Sequence, residues 1–245
     1  MPAPVINEYI SVDCVIFGFD FDKLNVLLVE RVLQNEHHEI IFSDFTLAGN
    51  HIWHNEDLDD AAKRILFDLT GLNNIYMEQF HTFYHPDRLN RQKDQLWLKS
   101  IGYNPNNRVI TVGYFSLLNK NEIALVKKER NVNWYPVNEI TDLAYDHKTI
   151  LDKALETLRL KLLHEPIAFE LLPTKFSISQ LQRVYEIILN TKLDRRNFRR
   201  KVLKSKYIIE LKEKQKDVKH IPAKLYMFSK DVYNVVKSDY SNTLV

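Results

Sequence analysis

Glu56, Arg64, Ile65, Asp68 and Leu69 lie at spacings from which side chains could act on a phosphate ester. Positions 65, 68 and 69 share one face of a helix, because they are three and four residues apart. Carboxylates at all three could hold Mg²⁺ against a diphosphate. Here the face carries Ile, Asp and Leu, and Asp68 with Glu56 offers too few oxygen ligands. We therefore expect no catalytic residue, no metal and no cofactor, and a surface or capping role for Asp68.

A second group of residues has the composition of a DNA-reading helix. On a helical wheel of residues 194–204, Phe198 and Val202 fall on one side, while Arg and Asn side chains fall on the other. Arginine can donate two hydrogen bonds to guanine, and asparagine can pair with adenine, in the major groove. The predicted DNA-binding residues are Arg195, Arg196, Asn197, Arg199, Arg200, Lys204, Lys212 and Lys214, with Lys216 and Lys219 as further phosphate contacts.

The charge of the chain is unevenly distributed. Residues 1–164 hold 17 Lys and Arg against 23 Asp and Glu, a net charge of −6, whereas residues 165–245 hold 17 against 9, a net charge of +8. A basic block of this kind indicates a polyanionic partner such as nucleic acid. A solvated lysine-rich face would give the same charge, so the helical pattern has to distinguish the two interpretations.

The composition narrows the class of protein. Of the 245 residues, 45% are hydrophobic and 27% are charged, which is typical of globular proteins. No apolar run approaches the ~18 residues that span a bilayer, and the residues after Met1 do not resemble a signal peptide. A single cysteine, Cys14, favours a reducing, cytoplasmic environment and is expected to be buried in a strand.

The hydrophobic pattern predicts an α/β domain in the first half of the chain. Strands are expected at 12–19, 25–32, 75–84, 109–118 and 133–135, with helices at 58–69 and 146–163. Residues 89–107 are interpreted as an insertion, a lid or a dimer contact. Pro166 and Pro173 bracket a connection, so we place the domain boundary between 164 and 165.

The second half predicts a winged helix-turn-helix. Ser177 and Gln180 fit a capping box that opens a helix, and Asp194 caps the next helix, expected over 195–205. Two β-like pieces, 207–211 and 224–228, flank a lysine-rich loop. Helix, turn, helix and hairpin follow one another in the order of that fold.

Residues 47–72 resemble a degraded Nudix box. Aligned on Glu56, Arg64 and Gly71, the box glycine becomes Asn50, and its three helical glutamates become Ile65, Asp68 and Leu69. Together the two halves resemble the Nudix-related transcriptional regulators of bacteria over nearly the whole chain. The stretches that carry this resemblance are 76–79, 82–88, 108–110, 171–176, 180–186, 194–201 and 222–226.

The resemblance implies a Nudix-like sandwich around a mixed sheet, followed by a winged helix. It also implies a homodimer on a palindromic double-stranded DNA operator, and an effector that is either ADP-ribose or a related nucleotide, or a pentose. Because no arginine-rich diphosphate cradle is visible in the sequence, we expect a pentose. The candidate effector-binding residues are His51, Trp53, His85, Asp87, Arg88, Asp146 and His147, while Arg64 is expected to orient the loop.

Two alternatives remain open from the sequence. The first is a Nudix-type hydrolase of a nucleotide or sugar diphosphate, with a basic tail that binds nucleic acid. The second is a nucleic-acid-associated module that has no effector. Mg²⁺-dependent phosphate release would favour the first, and indifference to sugars would favour the second.

Overall fold

The computed structural model describes residues 4–73, 75–120, 131–215 and 221–235. The chain divides into two compact units, and the division falls between Leu160 and Lys161. This division falls slightly before the boundary that the prolines predict, and it lies inside one continuous helix. Among the described residues, no helix is both long and apolar enough to cross a membrane.

The first unit holds most of the regular structure. In chain order its elements are β1 (Ile6–Phe19), β2 (Leu24–Gln34), β3 (Ile40–Thr46), β4 (Ala48–Trp53), α1 (Leu58–Thr70), β5 (Met77–Phe83), α2 (Gln92–Ser100), β6 (Ile110–Asn119), β7 (Val132–Pro136) and α3 (His147–His164), the helix that crosses the division. The second unit adds α4 (Ile178–Leu189), α5 (Arg195–Val202), β8 (Ile208–Lys214) and β9 (Lys224–Phe228).

The first unit contains the expected mixed sheet, with β1 at its centre. The strand order is β3-β2-β1-β6-β5, and β4 and β7 pair additionally with β1 and β2. β1 and β6 run parallel, whereas the other described pairs are antiparallel. Because β1 contacts three strands, its side chains are buried from Ser11 to Phe19 and can carry groups that water does not reach.

The two faces of the sheet differ in chemistry. Alternate residues of a strand point to opposite faces, and Val12, Cys14 and Ile16 form a core with Ile65 and Leu69 of α1. Cys14 is buried as expected, and burial raises the pKa of its thiol. Ser11 and Asp13 therefore belong to the opposite face, which is where polar chemistry can be placed.

Three elements of the first unit were not predicted from the sequence: β3, β4 and α2. Residues 48–53 form strand β4, because Gly49 and Asn50 pair with Asp13 and Val12 of β1. The insertion at 89–107 contains helix α2, whose residues Asp94 and Leu98 are buried. Local patterning missed β4 and α2, because both are stabilised by contacts distant in sequence.

The second unit has the predicted winged-helix order. Ser177 and Gln180 form the capping box of α4, and the Asp194 carboxylate accepts a hydrogen bond from Asn197 N at the start of α5. β8 and β9 form an antiparallel hairpin. A backbone bridge between Phe176 and Tyr226 attaches this hairpin to the chain that leads into α4.

Candidate effector site and nucleic-acid interface

Helix α5 is docked by its apolar side and exposed on its basic side. The Phe198 ring meets Tyr185 of α4 edge-on with ring centroids 5.4 Å apart, and Val202 is buried. The predicted DNA-contacting residues of the helix are all exposed: Arg195, Arg196, Asn197, Arg199, Arg200 and the following Lys204. Arg200 Nη2 donates to Asn197 Oδ1 at 3.0 Å, which couples two side chains that can read bases.

The hairpin supplies further cations, though not from a loop. Lys212 and Lys214 were expected in a loop, but both lie in strand β8 and are exposed, because pairing with β9 extends to Lys214 opposite Lys224. Lys216 and Lys219 lie outside the described residues. α5 and this strand together present a basic surface within one compact unit.

Helix α1 lacks the face on which a diphosphate hydrolase would hold its metal. Ile65 and Leu69 are buried in the core against β1, and Asp68 is exposed. In the described part of the chain, no group of three or more His, Cys, Asp or Glu side chains is placed to hold a metal ion. Two of the three positions on this face therefore contribute to packing instead of ligation.

The one glutamate retained from the box, Glu56, is bound by arginine. Arg64 donates to both carboxylate oxygens of Glu56 at 2.6 and 2.7 Å and to the backbone carbonyl of His51 at 3.2 Å. The Trp53 ring stacks on the same guanidinium at 4.2 Å. Burial opposes ionisation of Glu56, but the bond from Arg64 holds its pKa below the ordinary value. Arg64 thus orients the segment around Glu56.

A buried polar group on the other face of the sheet forms the candidate effector site. We call it the Asp13 cluster; it comprises Asp13, His51, Arg88, Thr111, Asp146 and His147. Arg88 donates to both oxygens of Asp146 at 2.8 and 3.0 Å, and also to Thr111 Oγ1. The Asp13 carboxylate lies 3.3 Å from His147 Nε2 and 3.8 Å from Arg88 Nη2.

Hydrogen bonds determine the tautomer of His147. The backbone N–H of Leu47 donates to His147 Nδ1 at 3.0 Å, so this nitrogen carries no proton and Nε2 donates towards Asp13. Burial opposes ionisation of Asp13, yet His147, Arg88 and His51 hold its pKa below the ordinary value. Burial lowers the pKa of His51, so its imidazole is neutral at pH 7.

The sheet register brings His51 into this cluster. His51 lies opposite Ser11, and Ser11 lies opposite Thr111, so the three side chains share a face. Tyr103 from the insertion covers His51 with ring centroids 4.8 Å apart. Four of the seven predicted effector residues are thereby brought together: His51, Arg88, Asp146 and His147.

The other three predicted effector residues lie elsewhere. Trp53 stacks on the guanidinium of Arg64 instead of contacting the Asp13 cluster. His85 and Asp87 are exposed and hydrogen-bond within their own turn, since Asp87 N donates to His85 Nδ1 at 3.2 Å and Asn90 Nδ2 donates to Asp87 Oδ1 at 2.7 Å. The fold does not bring His85 and Asp87 to the cluster, because the turn at Pro86 directs only Arg88 inwards.

A small cleft adjoins the cluster at Arg88. Its volume is about 210 Å³, and it is lined by Pro86, Arg88, Leu89 and Asn90 on one side and by residues 105–109 on the other. The end of the insertion thus forms one wall. The polar residues of its lining are Arg88, Asn90, Asn106, Asn107 and Arg108.

Sequence reasoning missed Asp13, whose carboxylate lies between His147 and Arg88. A signal was present, because Asp13 is the one charged residue in the otherwise apolar run from Val12 to Phe19. A buried charge is costly unless it is paired, so a carboxylate inside such a strand indicates partners from elsewhere in the fold. Thr111 gave no comparable signal.

Comparison with known families is consistent with these two sites. The model of the NUDIX domain matches residues 9–158. The chain belongs to this family. The model of the NrtR DNA-binding winged helix domain matches residues 168–228, so the resemblance to Nudix-related transcriptional regulators is confirmed.

Individual relatives cover both units. An ADPR responsive transcriptional repressor NtrR of Acinetobacter baylyi is 28% identical over 95% of this chain and 85% of the relative. The crystal structure of Shewanella oneidensis NrtR is 25% identical, with a TM-score of 0.69 over 91% of this chain and 95% of that one. The same protein complexed with a 27mer DNA is 24% identical, with a TM-score of 0.68 over 92% and 95% of the two chains, which shows the shared fold.

Proposed function

We propose that this protein is a DNA-binding transcriptional regulator whose Nudix domain binds a small effector. The observation that carries the proposal is helix α5, which packs through Phe198 and exposes arginines together with Asn197. A helix of this composition in a winged helix is suited to the major groove, with cations of β8 against phosphates. The 27mer DNA in the S. oneidensis NrtR crystal supports the same use of this fold.

The Nudix domain is proposed to act as a sensor without hydrolytic activity. Mg²⁺ prefers several oxygen ligands in octahedral geometry, and helix α1 offers the exposed Asp68 beside buried Ile65 and Leu69. Glu56 is engaged by Arg64 through two hydrogen bonds. Binding without turnover is what a sensor requires, because hydrolysis would remove the signal.

The proposed effector is a pentose bound at the Asp13 cluster. The carboxylates of Asp13 and Asp146 outnumber the single guanidinium of the cluster, an environment that repels a diphosphate and accepts hydrogen bonds from hydroxyls. The adjoining cleft of about 210 Å³ is smaller than the ~300–1,000 Å³ typical of drug-sized ligands. Both features favour a single sugar ring over a dinucleotide-like molecule.

ADP-ribose is the second candidate. The A. baylyi relative, 28% identical, is named for its response to ADPR. A nucleotide effector would have to place its diphosphate away from Asp13 and Asp146, or move Arg88 from Asp146 to a phosphate. Direct competition between the two ligand classes therefore distinguishes them.

The regulator is further proposed to act in the cytoplasm as a homodimer on a palindromic operator. A two-fold symmetric dimer presents two α5 helices to half-sites about one helical turn of DNA apart. Effector and DNA must influence each other's affinity by the same factor. The effector dissociation constant is therefore expected to change when operator DNA is added.

Fluorescence anisotropy of the full chain on DNA from upstream of its own gene tests the proposal. Binding is measured at fixed salt with and without arabinose, xylose and ADP-ribose, and Arg196→Ala is compared with Lys99→Ala, an exposed cation in α2. We expect tight binding that one ligand changes and that only Arg196→Ala weakens. Binding to every sequence alike, unaffected by all three ligands, would contradict the proposal, as would Mg²⁺-dependent hydrolysis of ADP-ribose to AMP and ribose 5-phosphate.

A further inference from the structure

The insertion helix α2 is docked on the segment that leads into α3. Arg91 Nη1 donates to the carbonyl of Leu143 at 2.8 Å and to Asp142 Oδ1 at 3.0 Å. The next contact along the helix is made by Asp94, whose Oδ2 accepts from the backbone N–H of Tyr145 at 3.0 Å. α2 therefore holds the chain immediately before Asp146 and His147.

Asp94 is completely buried between two donors. Its Oδ1 accepts from Arg31 Nη2 at 2.7 Å, while its Oδ2 takes the Tyr145 N–H. Arg31 is itself 2% exposed and is also bound through two hydrogen bonds by Asp44. The Tyr145 ring lies 4.5 Å from the Arg31 guanidinium carbon, so both the backbone and the ring of Tyr145 are fixed by one charged assembly.

Tyr145 has a backbone conformation that a tyrosine rarely adopts. Its φ is 54°, in the left-handed region that favours glycine. Such a conformation persists when surrounding contacts impose it. The turn at Tyr145 directs Asp146 to Arg88 and His147 to Asp13, and the rings of Tyr145 and His147 lie 5.1 Å apart.

We propose that Asp94 is a positioning residue of the effector site. It imposes the left-handed turn at Tyr145, and this turn places Asp146 and His147 in the Asp13 cluster. The hydrogen bonds of Asp94 go to Arg31 and Tyr145, so it acts on the effector through them. The inference rests on the proposed function for its effector readout, but its structural consequence can be measured without any ligand.

Asp94→Asn and Asp44→Asn form a matched pair of variants. Each removes one carboxylate from Arg31. Asp44 also pairs with Lys93 of α2, whereas only Asp94 also accepts from Tyr145. Asparagine has one acceptor oxygen, for which Arg31 and the Tyr145 N–H would compete. The charge-assisted hydrogen bond from Arg31 is the stronger of the two. The Tyr145 N–H of Asp94→Asn would then face an amide NH₂, whereas Asp44→Asn leaves Tyr145 untouched.

The ligand-free measurement is the nitrogen NMR spectrum of the histidine side chains in the full chain. The signals of His147, one of nine histidines, are assigned by their loss in His147→Gln. We expect the Nε2–H tautomer in the wild type and in Asp44→Asn, and a shifted or tautomer-averaged signal in Asp94→Asn. A wild-type His147 signal in Asp94→Asn would overturn the inference.

The effector measurement uses the same pair in the anisotropy assay, with arabinose and ADP-ribose as probes. We expect Asp94→Asn to raise the half-maximal effector concentration about tenfold, and Asp44→Asn to leave it within about twofold of wild type. DNA affinity without effector should be unchanged in both. Equal shifts in the two variants would reduce Asp94 to a general stabiliser of Arg31 and overturn the inference.

Failure of the proposed effectors and failure of the positioning role give different results. If the wild type responds to neither probe while His147 still changes only in Asp94→Asn, the proposed effectors are wrong and the positioning role stands. If Asp94→Asn does not fold, the double variant Arg31→Gln/Asp94→Asn, which removes the unbalanced buried charge, is tested by the same two criteria. Its control is Asp44→Asn/Lys93→Gln, which also removes one acid and one base but keeps Asp94 bonded to Arg31 and Tyr145.

Discussion

Asp13 and Gly49 face each other across β1 and β4 so closely that a Cβ atom at position 49 would lie 1.9 Å from Asp13 Oδ1. The carboxylate occupies the space that a side chain at position 49 would need. This explains why glycine lies at 49 while the glycine position of the Nudix box is Asn50, whose side chain falls on the α1 face with Val12. The Asp13 cluster thus depends on one residue that has no side chain.

Gly49→Ala should lower the free energy of unfolding by about 1–3 kcal/mol, because the new methyl group overpacks the Asp13 carboxylate. Urea denaturation of both single variants and of Asp13→Ala/Gly49→Ala gives a double-mutant cycle. We expect the alanine at 49 to cost clearly less when Asp13 is absent. Strict additivity would show that the close approach is relieved elsewhere.

Asp13→Asn should destabilise the protein by about 1.5–3 kcal/mol at pH 7, because the bond to His147 loses its charge. The folded protein holds the pKa of Asp13 below its ordinary 3.8, so the ionised form stabilises the fold. The stabilisation by the ionised Asp13 carboxylate is complete above pH 3.8, the ordinary pKa. It is lost as the pH falls through the lower pKa of the folded state.

The pH dependence is measured as the difference between wild type and Asp13→Asn, which cancels the titration of other carboxylates. We expect the difference present at pH 5 to shrink below pH 4. A difference that grows on acidification would mean that Asp13 is protonated in the folded protein.

Arg200→Ala should weaken operator binding by about 1–3 kcal/mol and relax sequence preference, if Arg200 reads a base. Its side chain is exposed and joined to Asn197, which supports a role in the groove. Anisotropy on operator and scrambled DNA measures both effects, with Lys99→Ala as the charge control. Unchanged affinity would remove Arg200 from the groove.

Lys214→Ala should weaken binding to all sequences alike, because a strand lysine is suited to phosphate and not to base edges. The plot of log affinity against log salt should become shallower by about one phosphate contact. Titrations across a range of salt concentrations test this expectation. An unaltered slope would place Lys214 away from the DNA backbone.

A structural feature of this protein could be predicted from the sequence where it depends on residues that lie close together in the chain. The winged helix was predictable, because the caps at Ser177 and Asp194 and the alternation of Phe198 and Val202 with arginines are local signals. The α1 segment was equally clear, since the Ile65 and Leu69 side chains reveal both the helix and the missing carboxylates.

The candidate effector site was only half predictable. Arg88, Asp146 and His147 were selected for their chemistry, and the fold brings them together, whereas Trp53, selected on the same grounds, stacks on Arg64 instead. Strand β4 brings in His51, because its pairing with β1 assigns His51 to the Asp13 face. No strand was predicted for this segment, so the sequence assigned no face to its residues.

The sequence by itself determined the two domains, the basic helix and the loss of the metal-binding face, because each depends on residues within a few turns of one another. Only the tertiary structure decided that Asp13 is the centre of a polar cluster and that Asp94 holds Tyr145. Those relationships join residues far apart in the chain. A buried charge requires a partner, but only the register of the strands and the docking of α2 determine which partner is within reach.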